Sequence, residues 1–129
     1  MRVILPIAII LILMSGILLS KDKSEALCKA SESSTPYCKY TGKIEKVYLN
    51  SEGLALIYLG ADFSKSGAKQ FGYEVSSSKI MAIDVTENEL NRLIYQSIVS
   101  AMAEDYSVEF HARGTLNGYI KLDRVWITK

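Results

Sequence analysis

The sequence predicts a small, mainly β domain with one long helix, and three observations lead to this prediction. The only sustained helical period after the N-terminus runs from Thr86 to Asp105. Three strand-like runs precede this segment and two follow it. The chain has 129 residues, 49% of them apolar, which is enough for one domain and leaves no length for a second.

The first twenty residues form an apolar export or anchor segment. Residues 3–19 are predominantly apolar behind Arg2, and Lys21 begins a polar stretch. The run is short for a membrane span, which needs about 20 residues, and slightly long for the apolar part of a signal peptide, about 7 to 15 residues. We expect a signal peptide cut after Ser20 and a secreted or periplasmic domain. The alternative is a retained inner-membrane anchor that places the domain in the periplasm.

Residues 21–39 are predicted to be a flexible leader, since Lys, Ser, Glu and Ala dominate them without a core period. The leader holds both cysteines of the chain, Cys28 and Cys38. In an oxidising compartment these two residues are expected to form a disulfide that stabilises the domain by about 3 kcal/mol. Two free thiols in a reducing compartment are the alternative.

Residues 40–129 are predicted to be the folded domain. The strands predicted before the helix are residues 41–49, residues 54–59, and a third strand in two pieces, 71–75 and 79–85. In the first strand Ile44 and Val47 are three residues apart, so a β-bulge is needed to turn both inward. A tight turn at residues 50–53 makes a hairpin of the first two strands, and residues 60–72 form a long loop.

The helix is predicted to begin with a capping box formed by Thr86 and Glu89. Its predicted core stripe repeats at steps of three and four residues and consists of Leu90, Leu93, Ile94, Ile98, Ala101 and Met102. Tyr95 and Val99 lie roughly opposite that stripe. They suggest either contact with another subunit of a homo-oligomer or packing under a loop.

Two strands with a hairpin turn are predicted after the helix. Residues 106–113 alternate, with Val108, Phe110 and Ala112 on one face and polar residues on the other. Asn117-Gly118 is a strong hairpin signal, because both residues accept positive φ. The last strand, residues 119–127, shifts its apolar pattern by one residue at Asp123-Arg124, which predicts a second bulge.

Five short, bulged strands with one helix between the third and the fourth are typical of the OB-fold, a small, partly open Greek-key barrel. The alternative is a five-stranded α+β sheet with the helix on one face. The two predicted bulges favour the barrel, because a small barrel needs its strands to curve.

The pattern resembles that of small exported bacterial OB-fold proteins, among them the B subunits of subtilase-cytotoxin and pertussis-like toxins. The residues that carry the resemblance are Gly42, Ile44 and Val47 in the first strand, residues 54–59 in the second, Val108 and Phe110 after the helix, and Val125 and Ile127 in the closing strand. The resemblance covers residues 40–129 and implies a secreted domain that binds host-surface glycans as a ring of subunits.

The composition and motifs argue against several classes of function. Loss of residues 1–20 leaves equal numbers of basic and acidic residues, and such a neutral domain is not expected to bind nucleic acid. The sequence has no phosphate-binding loop, no Cys-x-x-Cys and only one histidine, so we expect no cofactor and no metal. Ser66 with Lys69 and Ser76 with Lys79 fit a Ser-x-x-Lys string by chance, since neither pair lies on a predicted helix. The protein is therefore predicted not to be an enzyme.

The sequence instead favours an exported, non-catalytic binding module. Its ligand is expected to be a glycan or a protein, because the eight tyrosines offer rings with an apolar face and a hydroxyl. The candidate ligand-binding residues are Tyr58, Phe63, Phe71, Tyr73, His111 and Arg113. The alternative function is that of a membrane-anchored structural or inhibitory protein that docks on an envelope protein.

Overall fold

The computed structural model describes residues 24–31 and 34–129, which form seven strands and two helices. The strands are β1 (Glu25–Ser31), β2 (Ser34–Gly42), β3 (Ile44–Leu49), β4 (Leu54–Leu59), β5 (Ile80–Asp84), β6 (Ser107–Leu116) and β7 (Tyr119–Thr128). The helices are α1 (Lys65–Gln70), between β4 and β5, and α2 (Glu89–Ala103), between β5 and β6. The predicted mainly β class is confirmed.

The predicted export segment lies outside the described residues, so the choice between a signal peptide and an anchor stays a prediction. In the part of the chain that the structure describes, neither helix has the length and apolar character of a membrane span.

The seven strands form one open, mixed sheet in the order β1-β2-β6-β7-β5-β4-β3. The pair β5 and β7 is parallel, and the other neighbouring strands are antiparallel. The predicted count of five strands and one helix is therefore wrong. Over the described ranges, β1 and β3 are the two edges of the sheet and no closed barrel is formed.

The predicted flexible leader contains β1 and most of β2, which pair with each other in register at Cys28 and Cys38. The predicted disulfide joins these two residues and is confirmed. Sequence patterning did not predict these strands because β1 is an edge strand, with one neighbour among the strands that the structure describes. An edge strand tolerates polar residues, so its composition resembles that of a loop.

The predicted loop 60–72 contains the short helix α1, which begins after the N-cap residue Ser64. The Ser64 side chain accepts a hydrogen bond from the backbone N–H of Gly67 at 2.9 Å. A helix of six residues is too short to show a sustained period, so its sequence gives no helical signal. The predicted third strand is only partly correct, since residues 71–75 are not a strand.

The predicted capping box at the start of α2 is wrong. Asn88 is the N-cap, and its side chain accepts a hydrogen bond from the backbone N–H of Asn91 at 2.8 Å. Thr86 instead donates through its hydroxyl and its backbone N–H to Asp84 Oδ1, at 2.6 and 2.9 Å. These two hydrogen bonds lower the pKa of the Asp84 carboxyl.

The face of α2 that meets the core is narrower than predicted. Ile98 and Ala101 are buried, and Ile94 packs against the core as expected. Leu90, Leu93 and Met102 were predicted to be core residues but are exposed. Tyr95, which was expected on the opposite face, packs against the core, while Val99 is exposed.

The predictions for the strand irregularities are confirmed. The β3–β4 register shifts between Ile44 and Lys46, and Ile44 and Val47 both turn toward the core. The β6–β7 register also shifts where the bulge was predicted. At the hairpin turn that joins β6 and β7, Asn117 and Gly118 have φ values of 51° and 82°.

Tyr40 fixes the junction at which β2 passes into β3. Its side chain is fully buried, and its hydroxyl donates a hydrogen bond to the backbone carbonyl of Lys43. The same hydroxyl accepts a hydrogen bond from the backbone N–H of Gly60 at 3.0 Å and lies 3.2 Å from Ser24 Oγ. One side chain thus connects the start of the described chain, the β2–β3 junction and the end of β4.

Replacing Tyr40 with phenylalanine is expected to lower the free energy of unfolding by about 1 to 2 kcal/mol. The substitution keeps the buried ring but removes the hydrogen bonds that the hydroxyl makes with the Lys43 carbonyl and the Gly60 N–H. Chemical denaturation of both proteins measures the difference. Tyr48→Phe is the control, because Tyr48 is exposed, and a loss of similar size in that variant would contradict the role given to the Tyr40 hydroxyl.

Candidate ligand-binding face

Three aromatic rings lie side by side across the solvent-facing side of β2, β6 and β7. His111 stacks on Tyr37 with ring centroids 4.5 Å apart and an angle of 17° between the planes. On the other side of His111, the Trp126 ring lies at 4.5 Å and is tilted by 51°. We call Tyr37, His111 and Trp126 the aromatic row.

The strand register brings these rings together. In β6, Val108, Phe110 and Ala112 are buried, so the alternation turns His111 outward. Lys39 of β2 and Arg124 of β7 are the direct cross-strand neighbours of His111. Tyr37 and Trp126 lie on opposite sides of the line that joins Lys39, His111 and Arg124, and each is a diagonal neighbour of His111.

The bulge in β7 determines where Trp126 points. Ile120 and Leu122 are both buried, so regular alternation would also turn residue 126 inward. The extra residue at Asp123 reverses this parity, and Val125 packs against the core instead. Trp126 therefore faces solvent, with 46% of its surface exposed.

Charged groups hold the polar side chains around the aromatic row in place. His111 Nε2 lies 3.0 Å from Glu109 Oε2. Asp123 Oδ2 accepts hydrogen bonds from Arg113 Nη1 at 2.8 Å and from Arg124 Nε at 2.9 Å. The Arg113 guanidinium also lies over the Tyr37 ring, 5.1 Å from its centroid.

The rings of the row differ in how much of their surface a ligand can reach. The His111 side chain is only 13% exposed and Arg113 only 17%, whereas Trp126 is 46% exposed. Trp126 thus offers the open apolar surface. His111 lies beside the indole, whereas Arg113 lies over the Tyr37 ring at the other end of the row.

The predicted site residues lie in four separate places. Phe63 was expected to contact a ligand but is 3% exposed and belongs to the core, so this prediction is wrong. Phe71 and Tyr73 form an edge-on pair at 6.3 Å, and the Tyr73 hydroxyl donates to the Pro36 carbonyl at 2.8 Å. These contacts give Tyr73 a structural role.

Tyr58 lies on the outward face of β4, three positions from β6 in the strand order. Lys46 of β3 reaches over its ring at 4.3 Å from the centroid. Leu56, two residues before Tyr58 on β4, pairs with Ala82 of β5. Strand alternation turns both side chains to the sheet face opposite the core, yet both are buried. This face is therefore apolar, but it is distant from His111 and Arg113, which the sequence had grouped with Tyr58.

A groove also runs between α2 and the end of β7, with a cavity volume of about 380 Å³. Half of its lining residues are polar and half are apolar or aromatic, namely Gln96, Ser97, Ser100 and Glu104 against Leu93, Ala101, Tyr106 and Ile127. Leu93 and Ile127 are 47% and 40% exposed. The groove is thus a second candidate surface, with apolar side chains exposed among polar ones.

The sequence predictions included His111 and Arg113 but missed Tyr37 and Trp126. Trp126 is the only tryptophan of the chain, and the bulge before it was predicted. Following the parity of β7 through that bulge would have placed Trp126 beside the polar face of β6. Tyr37 gave no such signal, because its segment was predicted to be a leader and not a strand.

Over residues 24–31 and 34–129, no three His, Cys, Asp or Glu side chains lie close enough together to hold a metal ion. No protein-family model, curated protein or solved structure matches the chain. The resemblance to toxin B subunits therefore stays a prediction.

Proposed function

We propose that the protein is an exported, non-catalytic binding module whose aromatic row binds a glycan. One observation carries this proposal, namely the exposed Trp126 ring with His111 and Arg124 near it, whose polar atoms already have partners in Glu109 and Asp123. The apolar face of a sugar ring stacks on an aromatic ring, and its hydroxyls need donors and acceptors at the edge of that ring. Glu109, His111 and Arg124 supply such groups around Trp126.

The ordered surroundings of Trp126 favour binding because little conformational entropy is lost when a ligand arrives. His111 is held by Tyr37 on one side and by Glu109 at its Nε2 atom. Arg124, two residues before Trp126 on β7, is held by Asp123. A face that is ordered before binding keeps more of its interaction energy as affinity.

The proposed architecture is a partly open OB-fold barrel. Its support is the strand order β3-β4-β5-β7-β6-β2, with β5 and β7 parallel and only Lys43 between β2 and β3. In this proposal β2 and β3 act as one bent strand that pairs with β6 at one end and with β4 at the other. β1 is then an addition to the edge, fixed by the disulfide.

Two further observations support the non-catalytic and exported parts of the proposal. Ser66 and Lys69, one of the Ser-x-x-Lys pairs, are both exposed on α1, where the lysine lacks the burial that a catalytic amine needs. The Cys28–Cys38 disulfide suits the periplasm or the extracellular space, since disulfides persist in oxidising compartments. A homo-oligomer like the toxin rings remains part of the proposal.

A glycan array tests the proposed function. The full chain is expressed in a bacterial host and the exported protein is labelled and applied to the array. We expect saturable binding to a restricted set of glycans, and absence of signal at high protein concentration would contradict glycan binding. Tyr58→Ala and Tyr73→Ala are applied to the same array. Loss of signal in Tyr58→Ala but not in Tyr73→Ala would place the binding site on the face of β4.

Docking on an envelope protein is the second candidate function, and the groove between α2 and β7 favours it. Leu93 and Ile127 expose apolar surface in this groove beside polar residues, and exposed apolar patches bordered by polar residues often mark protein-binding sites. If the apolar segment is also retained, the full-length protein stays with the membrane fraction after a high-salt wash. Recovery of a shortened chain in the soluble fraction would contradict the anchored form.

A further inference from the structure

His111 occupies the centre of the aromatic row and is surrounded by charged groups from each neighbouring strand. Its own strand contributes Glu109, whose Oε2 lies 3.0 Å from Nε2, and Arg113, which lies over Tyr37. β2 contributes Lys39 as a direct cross-strand neighbour. β7 contributes Arg124 on the other side, and its neighbour Asp123 is held by two arginines.

The charge on His111 therefore decides the charge of this part of the face. When the imidazole is neutral, Lys39 and Arg124 lie on either side of an uncharged ring, and Arg124 is paired with Asp123. When the imidazole is protonated, the three strands carry three cations in one line, and Glu109 alone pairs with the middle one. Imidazole is the side chain that proteins use most often as a proton-dependent switch in mild acid.

The ring cannot swing away from the row without losing its contacts. His111 is 13% exposed and lies between the rings of Tyr37 and Trp126 at 4.5 Å on each side. A protonated imidazole in this position gains cation–π attraction to both rings. Protonation is therefore expected to change the charge of the row and leave its geometry in place.

We propose that His111 is a proton-sensitive switch of the ligand-binding face, which favours negatively charged ligands in mild acid. The inference rests on the proposed function, because it concerns ligands at the aromatic row. Protonation adds one positive charge between Lys39 and Arg124, next to the Trp126 ring on which the ligand stacks. Uncharged ligands lack the added Coulomb attraction and bind equally at both pH values.

Intrinsic fluorescence tests the switch without any ligand. Trp126 is the only tryptophan and His111 the only histidine, so the emission reports on one ring next to one titrating imidazole. We expect the emission to fall between pH 7.5 and pH 5 in a single-proton transition, with an unchanged circular dichroism spectrum. His111→Gln should abolish the transition. The same transition in His111→Gln, or constant emission in the native protein, would overturn the inference.

Binding of two polysaccharide probes tests the consequence for ligands. Dextran sulfate is expected to bind about fivefold more tightly at pH 5 than at pH 7.5, in line with one added surface charge, and unsulfated dextran should show no such change. His111→Gln should remove the pH dependence, and added salt should reduce it. Equal binding of dextran sulfate at both pH values would overturn the switch.

The two measurements separate failure of the switch from failure of the proposed function. A proton transition of Trp126 without polysaccharide binding at either pH overturns the preference for anionic ligands and counts against a glycan site. Polysaccharide binding without a His111-dependent transition supports the binding face and overturns the switch.

Discussion

Trp126→Ala is expected to weaken glycan binding about tenfold or more and to leave the melting temperature nearly unchanged. The indole provides the open apolar surface of the aromatic row, and aromatic residues of this kind dominate the binding energy of many interfaces. Its removal takes away the stacking surface and exposes the edge of His111, which the indole partly covers. Val125 and Ile120 still face the core in the variant, so the fold of β7 should persist.

Tyr48→Ala is the matched control for this experiment. Tyr48 lies on β3 and is also 46% exposed, so the two substitutions remove aromatic rings of equal exposure from different faces. Titration of each variant with the best glycan of the array gives the affinities, and thermal unfolding gives the stabilities. An equal loss of affinity in both variants, or a loss in Tyr48→Ala alone, would contradict the assignment of the site to the aromatic row.

The hairpin of β6 and β7 shows what the sequence predicted well. Asn117-Gly118 fixes the turn, and from it the alternation of Val108, Phe110 and Ala112 sets which face of β6 is buried. Both signals are local and strong. They are sufficient to predict that His111 and Arg113 lie on the opposite face of β6 from its buried residues.

The elements that were missed have weaker local patterns. β1 has one neighbouring strand within the described ranges and gives no apolar alternation, and α1 is too short to show a period. The partners of β2 are the disulfide-linked β1 and the distant β6, and neither contact is visible in a local window. Tyr37 was missed for this reason, because its place in the row depends on the pairing of β2 with β6.

The helix α2 shows a different limit of periodicity. Leu90 and Leu93 belong to the predicted apolar stripe of the helix, yet both side chains are exposed and neither belongs to the core. The period identifies an apolar arc but does not say which part of the arc the sheet covers. Tyr95 illustrates the same point from the other side, since it packs against the core although it lies outside the predicted stripe.

Loss of the disulfide is expected to lower the free energy of unfolding by about 3 kcal/mol. The bond joins Cys28 and Cys38 across β1 and β2 at a separation of 10 residues, so its removal gives the unfolded chain more conformations. Cys28→Ala with Cys38→Ala removes the bond without placing a polar group at the fully buried position 38. Chemical denaturation measures the effect, and the native protein in reducing agent should match the double variant.

Lys29→Ala is the control, because it changes an exposed residue of the same strand and leaves the bond intact. Hydrogen exchange should localise the loss in the double variant. Among the described strands β1 pairs with β2 alone, so its amides should exchange faster, while β2 keeps its pairing with β6 at positions 38 and 112. Since that pairing holds Tyr37 against His111, glycan binding should survive below the lowered melting temperature. Loss of binding in the folded double variant would show that the aromatic row depends on β1.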